Sequence, residues 1–200
     1  MTAVLLHVEA EAAIAEVLSE AFRDYPVMRH VIGDEPDYDA RLRRLVGFFV
    51  ARRLRQGGPG FGVIEGGDVV AAAVLTRPVE PEMPPEVADL RDELWAELGE
   101  PARRRYDGYA AATRAFFDER PHHHLNMIGV RDAHRGRGLA RPILTAMREL
   151  AARDPGSAGV SLTTEVPANV RLYEHFGYTV TAHVQIAPGF ESWGMFLPTR

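Results

Sequence analysis

A glycine-rich turn between a short apolar segment and an amphipathic segment constrains the fold of this chain more than any other feature. Residues 125–130 are mostly apolar and predict a strand, while residues 139–150 carry apolar side chains at helical spacing and predict a helix. Gly136 and Gly138 lie between them, where they can adopt positive φ angles and let an anion approach the backbone. This order directs backbone N–H groups and the positive end of a helix at a phosphate. The turn therefore predicts a binding loop for a nucleotide or coenzyme.

Two common phosphate-binding loops do not fit this turn. A Walker loop needs a lysine followed by serine or threonine, and the chain contains no lysine, because all 23 of its basic residues are arginine. A dinucleotide-binding loop has a third glycine where this chain has Arg141, and it lies early in a βαβ unit. Here the loop lies two-thirds of the way along the chain, so neither of these two loop types is indicated. A glycine turn that merely starts a helix is the alternative interpretation.

A second segment, residues 165–178, follows another strand-like run at residues 160–164. Pro167 suits the first turn of a helix, and Gly177 suits its C-terminal end. Asn169 and Tyr173 are four residues apart, so a helix places both side chains on the same face.

The two segments together resemble the GNAT superfamily of N-acetyltransferases. Arg135, Gly138 and Ala140 match its pyrophosphate-binding loop, Gln/Arg-x-x-Gly-x-Gly/Ala, and residues 169–178 match its Asn-x-x-x-Tyr-x-x-x-Gly-Phe/Tyr element. The resemblance implies an α/β (α+β) fold with a central mixed, mostly antiparallel sheet, splayed central parallel strands and flanking helices. It also implies one acetyltransferase domain over residues 1–200, with acetyl-CoA as cosubstrate and an amine acceptor attacking it directly in a ternary complex.

The resemblance also implies a set of coenzyme-binding residues. The backbone N–H groups of Ile128 and Val130 would hold the pantetheine and polarise the acetyl carbonyl, with Gly129 marking a β-bulge between them. The other residues expected to bind the coenzyme are Arg135, Gly136, Arg137, Gly138, Leu139, Ala140 and Asn169.

Catalysis by this family requires a proton acceptor for the amine and a proton donor for the departing thiolate. Tyr173 is the expected acid by its position in the motif. Two residues compete for the base: His124, whose ordinary pKa is about 6.5, and Glu165. His124 could instead only line the pocket, and Glu165 could instead be a solvent-exposed carboxylate near a helix N-terminus.

Residues 21–30, 178–182 and 193–195 are similar to segments of puromycin N-acetyltransferase, whereas residues 78–121 do not match it. We expect Tyr25, Arg29, His30 and Trp193 to contact the acceptor, with packing in the core as the alternative for the aromatic residues. For Phe22, packing in the core is the favoured interpretation. Arg29 could alternatively pair with Asp34 or Glu35 in the neighbouring loop.

Composition limits the remaining possibilities. The absence of cysteine excludes thiolate ligands, and the consecutive histidines 122–124 would alternate between the faces of a strand, so we expect no metal site. A net charge of −5 and the lack of a long apolar segment predict neither a nucleic-acid nor a membrane partner. We therefore expect a cytoplasmic monomer or homodimer. The resemblance implies that it acts on a small-molecule amine. A non-catalytic acyl-CoA sensor and a protein N-terminal acetyltransferase remain alternatives.

The pattern of the whole chain predicts alternating strands and helices. After helix 11–22, the sequence predicts a break at Tyr25 and Pro26 and then a loop through Pro36. Between helices 86–98 and 103–119 it predicts a break at residues 99–101. The remaining predicted helix in the first half is 38–55, and the predicted strands are 4–8, 61–65, 69–76, 125–130, 160–164, 178–187 and 192–197.

Overall fold

A computed structural model describes residues 2–116 and 120–199, and its centre is one seven-stranded sheet. The strands lie in the order β1-β2-β3-β4-β5-β7-β6, in which β4 and β5 are parallel and every other neighbouring pair is antiparallel. This arrangement confirms the predicted mixed sheet. The strands are β1 Val4–Leu6, β2 Gly60–Glu65, β3 Asp68–Thr76, β4 His123–Val130, β5 Gly159–Thr164, β6 Thr179–Ala187 and β7 Phe190–Pro198.

Helices cover both faces of the sheet. Alternate residues of β3 show this directly, because Ala72 and Val74 belong to the apolar core under α1 and α3, whereas Ala71 and Ala73 belong to the core under α5. Burial on both faces explains why β3 is an almost continuous apolar run. The helices are α1 Glu11–Ala21, α2 Pro26–Ile32, α3 Tyr38–Arg55, α4 Pro85–Thr113, α5 Ala140–Arg153 and α6 Pro167–His175.

The helices differ from the prediction in two places and agree with it in a third. The prediction of a loop after Tyr25 is wrong, because Pro26 begins the short helix α2, which ends at Gly33 with φ +80°. The predicted break between two helices is confirmed, because α4 is interrupted at Gly99, whose φ and ψ are +80° and 165°. The helix predicted to reach residue 119 ends at Thr113, a 3-10 turn covers Arg114–Phe116, and residues 117–119 lie outside the described residues.

The parallel strands β4 and β5 separate soon after they meet. They pair only from His123 with Val160 to Leu125 with Leu162, and β4 then continues to Val130 paired with β3 alone. The strands therefore splay apart from Asn126 onward, as predicted, and open a cleft at the middle of the sheet.

The bulge in β4 lies at Asn126 and not at Gly129 as predicted. The register with β3 shifts between Val74, which pairs with Met127, and Leu75, which pairs with Leu125, so Asn126 is the extra residue. Gly129 instead pairs regularly with Ala72. It must be small because a Cβ there would lie 2.4 Å from the Ala21 Cβ on α1.

We expect Gly129→Ala to lower the free energy of unfolding by about 1–3 kcal/mol, because the added methyl group overpacks the contact between α1 and β4. Urea denaturation measures this loss. The matched control is Gly108→Ala in the exposed part of α4, where a Cβ meets no described atom within 4 Å. This control should be neutral or slightly stabilising, and a Gly129→Ala protein as stable as the wild type would contradict the proposed packing constraint.

Candidate active site

The glycine loop leads directly into α5. Gly136 and Gly138 have φ angles of +75° and +74°, and α5 begins two residues later at Ala140. A Cβ on either glycine would meet no described atom within 4 Å, so glycine is needed for its backbone conformation and not for space. Leu139 is 2% exposed and packs with Ile143 of α5, which fixes the otherwise exposed loop to the core.

The two arginines of the loop form ion pairs with neighbouring acids. Arg137 donates two parallel hydrogen bonds to the Glu65 carboxylate, with lengths of 2.9 and 2.8 Å. Arg135 lies 2.7 Å from Asp132. Both arginine side chains are about half exposed, so their guanidinium groups remain accessible to an anionic ligand. Such exposed pairs are weak enough to be exchanged for contacts with a phosphate.

The backbone of β4 directs N–H groups into the cleft. Arg131 donates its backbone N–H to the Val70 carbonyl of β3, and hydrogen-bonded pairs alternate along an antiparallel ladder. Residues 129 and 127 are therefore the other hydrogen-bonded partners of β3. Ile128 and Val130 lie between them, so their N–H groups point away from β3 towards the side on which β5 has separated.

A cavity of about 440 Å³ opens at this cleft. Tyr173 and Asn169 of α6, Glu165 and the β4 residues His124 and Ile128 all line it, together with residues of α2, α3 and α4. The structure thus brings the three predicted catalytic residues, part of the predicted coenzyme strand and one motif residue to a single cavity.

Glu165 lies at the centre of a buried hydrogen-bond network. Its side chain is not the exposed carboxylate of the alternative interpretation, since the residue is 6% exposed. The Tyr109 hydroxyl and the Ser192 hydroxyl each donate a 2.7 Å hydrogen bond to Oε1, and neither bond reaches Oε2. The Tyr25 hydroxyl accepts the backbone N–H of Glu165 at 3.3 Å. Burial raises the pKa of the carboxyl, against the opposing effect of these hydrogen bonds.

The sequence did not point to Tyr109 or Ser192. Tyr109 lies on α4, in the part of the chain without a resemblance, 56 positions from Glu165. Ser192 lies in β7 beside Trp193, and no local pattern distinguishes which of the two faces the cavity.

Tyr173 is buried in the wall of the cavity. Its ring packs edge-on against Tyr178, with centroids 5.7 Å apart. Burial, and to a smaller extent the charge of Glu165, raises its pKa above the ordinary value. The hydroxyl therefore stays protonated at neutral pH and can act as a proton donor.

His124 is a partly buried side chain whose Nδ1 lies 2.8 Å from the Ser161 Oγ. Burial, with smaller contributions from the charges of Arg53 and His122, lowers its pKa to about 3. The imidazole is therefore neutral at pH 7 but a weak proton acceptor, which favours Glu165 over His124 as the base.

The low pKa of His124 makes a prediction about stability. Between pH 6.5 and pH 5 the unfolded chain binds a proton at this residue and the folded chain does not, so stability falls as the pH falls. This loss amounts to about 2 kcal/mol across that interval. We expect His124→Asn, which can keep a hydrogen bond to Ser161, to lose correspondingly less stability in urea denaturation at the two pH values. The exposed His7→Gln variant should behave as the wild type, and equal losses in all three proteins would contradict the assignment.

Of the four predicted acceptor contacts, only Tyr25 lines the cavity. Arg29 is exposed, lies 3.8 Å over the ring of Tyr38 and forms its ion pair with Asp24 at 2.5 Å. Of the two acids suggested as alternative partners, Asp34 contributes only a smaller electrostatic attraction. His30 packs against Phe190 outside the cavity lining.

Trp193 also lies outside the cavity lining. Its ring stacks on His183 with an interplanar angle of 7°, whereas the adjacent Ser192 reaches Glu165. Successive residues of a strand point to opposite faces, so β7 directs Trp193 away from the site. Phe22 is buried and lines the cavity from the core.

The histidine run alternates in the same way. His122 and His124 line the cavity, while His123 is buried elsewhere with its Nε2 3.0 Å from Asp154. Among the residues that the structure describes, no three histidine or acidic side chains are grouped so as to hold a metal ion. In the described ranges, 2–116 and 120–199, no helix is both long and apolar enough to cross a membrane.

The comparisons with known proteins concern one family model and the folds of solved structures. Residues 91–180, which include β4, the glycine loop, α5, β5 and α6, match the family described as the acetyltransferase (GNAT) domain. The seven-stranded arrangement is the GNAT fold.

Three solved structures illustrate the likeness. An acetyltransferase from Corynebacterium glutamicum, described as histone acetyltransferase HPA2 and related acetyltransferase, has a TM-score of 0.76 at 20% identity, over 98% of this chain and 95% of its own. Arylalkylamine N-acetyltransferase 2 from Aedes aegypti has a TM-score of 0.67 at 15% identity, over all of both chains. The polyamine N-acetyltransferase of Drosophila melanogaster, which forms N-acetylagmatine, has a TM-score of 0.56 at 20% identity, over 97% and 98%.

Proposed function

We propose that this chain is an acetyl-CoA-dependent N-acetyltransferase that modifies the primary amine of a small molecule. The proposal rests on one observation: Tyr173, Glu165 and the part of β4 that has separated from β5 all border one cavity. A non-catalytic acyl-CoA sensor would need the loop but not a buried carboxylate and a protonated tyrosine beside it. One continuous sheet with a core on each face supports the prediction that residues 1–200 form one domain.

The loop and the strand edge suit acetyl-CoA. Gly136 and Gly138 leave the backbone open before the start of α5, where a pyrophosphate would receive N–H groups and the helix dipole. The N–H groups of Ile128 and Val130 would pair with the extended pantetheine, and Asn169 lines the same cavity. Bound there, acetyl-CoA supplies the acetyl group to the cavity that holds the acceptor.

The protein's own groups then move the protons. An amine reaches the site as an ammonium ion and must lose a proton before it attacks. Glu165 would accept that proton, since burial raises the pKa of its carboxyl and Tyr109 and Ser192 hold its position. Attack by the amine forms the C–N bond, and as the C–S bond breaks Tyr173 would donate a proton to the departing thiolate. The second proton that the nitrogen loses would restore the tyrosine hydroxyl.

The acceptor itself is suggested by the walls of the cavity and by the relatives. Aromatic and aliphatic side chains of α2, α3 and α4 dominate the walls, and the amines of the relatives named above include arylalkylamines and agmatine. The resemblance at residues 21–30 adds puromycin as a candidate.

The first experiment is calorimetric titration with acetyl-CoA, followed by a thiol-release assay against a panel of amines that includes puromycin, arylalkylamines and agmatine. Binding with release of CoA in the presence of one amine would support the proposal. Binding without release for any amine would contradict catalysis and favour the sensor alternative. The absence of binding would contradict both.

We expect Arg137→Gln to weaken acetyl-CoA binding about tenfold, because a charge-assisted hydrogen bond to a phosphate is worth about 1.5–3 kcal/mol and part of that loss is screened by solvent. Glutamine avoids placing a second carboxylate beside Glu65. Calorimetry measures the change in Kd. Arg153→Gln, an exposed arginine at the far end of α5, is the control, and equal affinities for the two variants would contradict the role of the loop.

A further inference from the structure

The acceptor cavity contains a buried arginine that the proposed reaction does not use. Arg53 of α3 lines the cavity with a side chain that is 15% exposed. Its Nη1 donates a 2.5 Å hydrogen bond to Glu80, but its Nε is buried and has no acceptor among the described residues. The guanidinium group lines the cavity with one nitrogen held by Glu80, and since an arginine has five N–H donors, it has donors left for a further anionic partner.

The charge around Arg53 is positive. Arg52 lies 3.6 Å from the same Glu80 carboxylate, so two guanidinium groups share one acid. His124, whose pKa the charge of Arg53 helps to lower, is neutral at pH 7. Glu80 and Glu165 are the acidic residues that line the described cavity, and Glu165 belongs to the other end.

The end of the cavity at which Arg53 lies is separated from Glu165 along the sheet. A Cβ built on Gly58 would lie 2.3 Å from the Leu75 carbonyl oxygen and 2.7 Å from the Arg53 carbonyl oxygen, so the backbone of Arg53 lies beside Leu75 of β3. Leu75 pairs with Leu125, whose register partner in β5 is Leu162. Glu165 follows Leu162 by three residues, which corresponds to about 10 Å along an extended strand. Apolar side chains, including Val31, Phe49 and Tyr106, line the cavity as well.

We propose that the acceptor carries a carboxylate in addition to its amine, held apart from it by an apolar segment, and that Arg53 binds this carboxylate while the amine lies at Glu165. The proposal rests on the proposed N-acetyltransferase function and names its substrate class. An α-amino acid does not satisfy the geometry, because its amine and carboxylate are bonded to the same carbon. A cationic amine such as agmatine brings a second positive charge towards Arg53 and Arg52.

The test compares two amines that differ only in the carboxylate, para-(aminoethyl)benzoate and phenethylamine. We expect kcat/KM to be at least about tenfold higher for the benzoate, mainly through KM, as loss of a charge-assisted contact predicts. A kcat/KM that is equal or lower for the benzoate, or highest for agmatine, would overturn the proposal.

Substitutions on α3 test whether Arg53 causes the preference for the amine that carries a carboxylate. Arg53→Gln should bring the ratio of the two kcat/KM values close to one, and Arg53→Lys should keep part of it. Arg44→Gln is the control, since this arginine of the same helix pairs with Glu97 at an exposed position. An Arg53→Gln protein that folds and keeps the full preference would overturn the assignment.

A binding measurement separates failure of this proposal from failure of the proposed function. If no amine is acetylated although acetyl-CoA binds, the function fails, and para-ethylbenzoate, which has the carboxylate without the amine, still reports on the arginine. Calorimetry should show that it binds the wild type in preference to ethylbenzene and binds Arg53→Gln at least about tenfold more weakly. No binding to the wild type would overturn the proposal without any reference to turnover.

Discussion

Replacement of Tyr173 by phenylalanine should lower kcat by about 10²–10³-fold while leaving the affinity for acetyl-CoA nearly unchanged. The range is that of a general acid placed at the reacting group. The phenyl ring keeps the packing against Tyr178 and removes only the hydroxyl, whose pKa burial holds above its ordinary value. The measurements are steady-state thiol release and calorimetric titration with acetyl-CoA.

The chain offers a matched control in Tyr178→Phe. Tyr178 is also a buried tyrosine with a raised pKa, it packs against Tyr173, and it does not line the cavity. A structural effect of losing a buried hydroxyl would appear in both variants, whereas loss of the acid would appear in Tyr173→Phe alone. Wild-type turnover in Tyr173→Phe would remove Tyr173 from the mechanism.

Replacement of Glu165 by glutamine should have an effect of similar size, about 10²–10⁴-fold on kcat/KM at neutral pH. The amide oxygen can still accept the hydrogen bonds from Tyr109 and Ser192, so the geometry is kept and the basicity is lost. In the wild type, kcat/KM should fall on the acid side with an apparent pKa above the ordinary value for glutamate. This acid limb should be absent from the variant.

Stability measurements distinguish this loss from misfolding. Burial raises the pKa of Glu165 in the folded protein above its value in the unfolded chain. The contribution of this residue to the free energy of unfolding is therefore complete below the unfolded pKa and is lost as the pH rises through the folded pKa. Above that range the wild type buries a charge, and Glu165→Gln should be at least as stable. An inactive variant that is also less stable at pH 8 would indicate a structural role. Full activity in a folded variant would return the role of base to His124 or to water.

The fold could be predicted from the sequence chiefly where local chemistry repeats along the chain. The break at Gly99, the helix that begins at Pro167 and the strand-loop-helix unit around Gly136 and Gly138 each follow from residues close in sequence. The short helix α2 could not be predicted, because seven residues give too little periodicity to distinguish a helix from a loop. The bulge at Asn126 could not be predicted either, since Gly129 offered the more obvious local signal.

Less of the candidate site than of the fold could be predicted from the sequence. The positions of Tyr173 and Asn169 on one helix face follow from their spacing, as does the alternation of the three histidines. The assignment of a base between His124 and Glu165 could not be made, because it depends on how far each group is removed from water and on which groups donate to it. These properties arise from residues that are distant in sequence.

The sequence by itself therefore determined the glycine loop before α5, the motif helix and the mixed order of strands and helices, since each depends on backbone preferences and side-chain periodicity within a few residues. Only the tertiary structure decided where β4 and β5 separate, which is after Leu125, that Tyr109 and Ser192 converge on Glu165, and that Trp193 faces away from the cavity. It also placed Arg53 in the cavity wall with an unpaired Nε. The physical reason is that burial, desolvation and hydrogen-bond partners are set by packing between elements that local sequence does not connect.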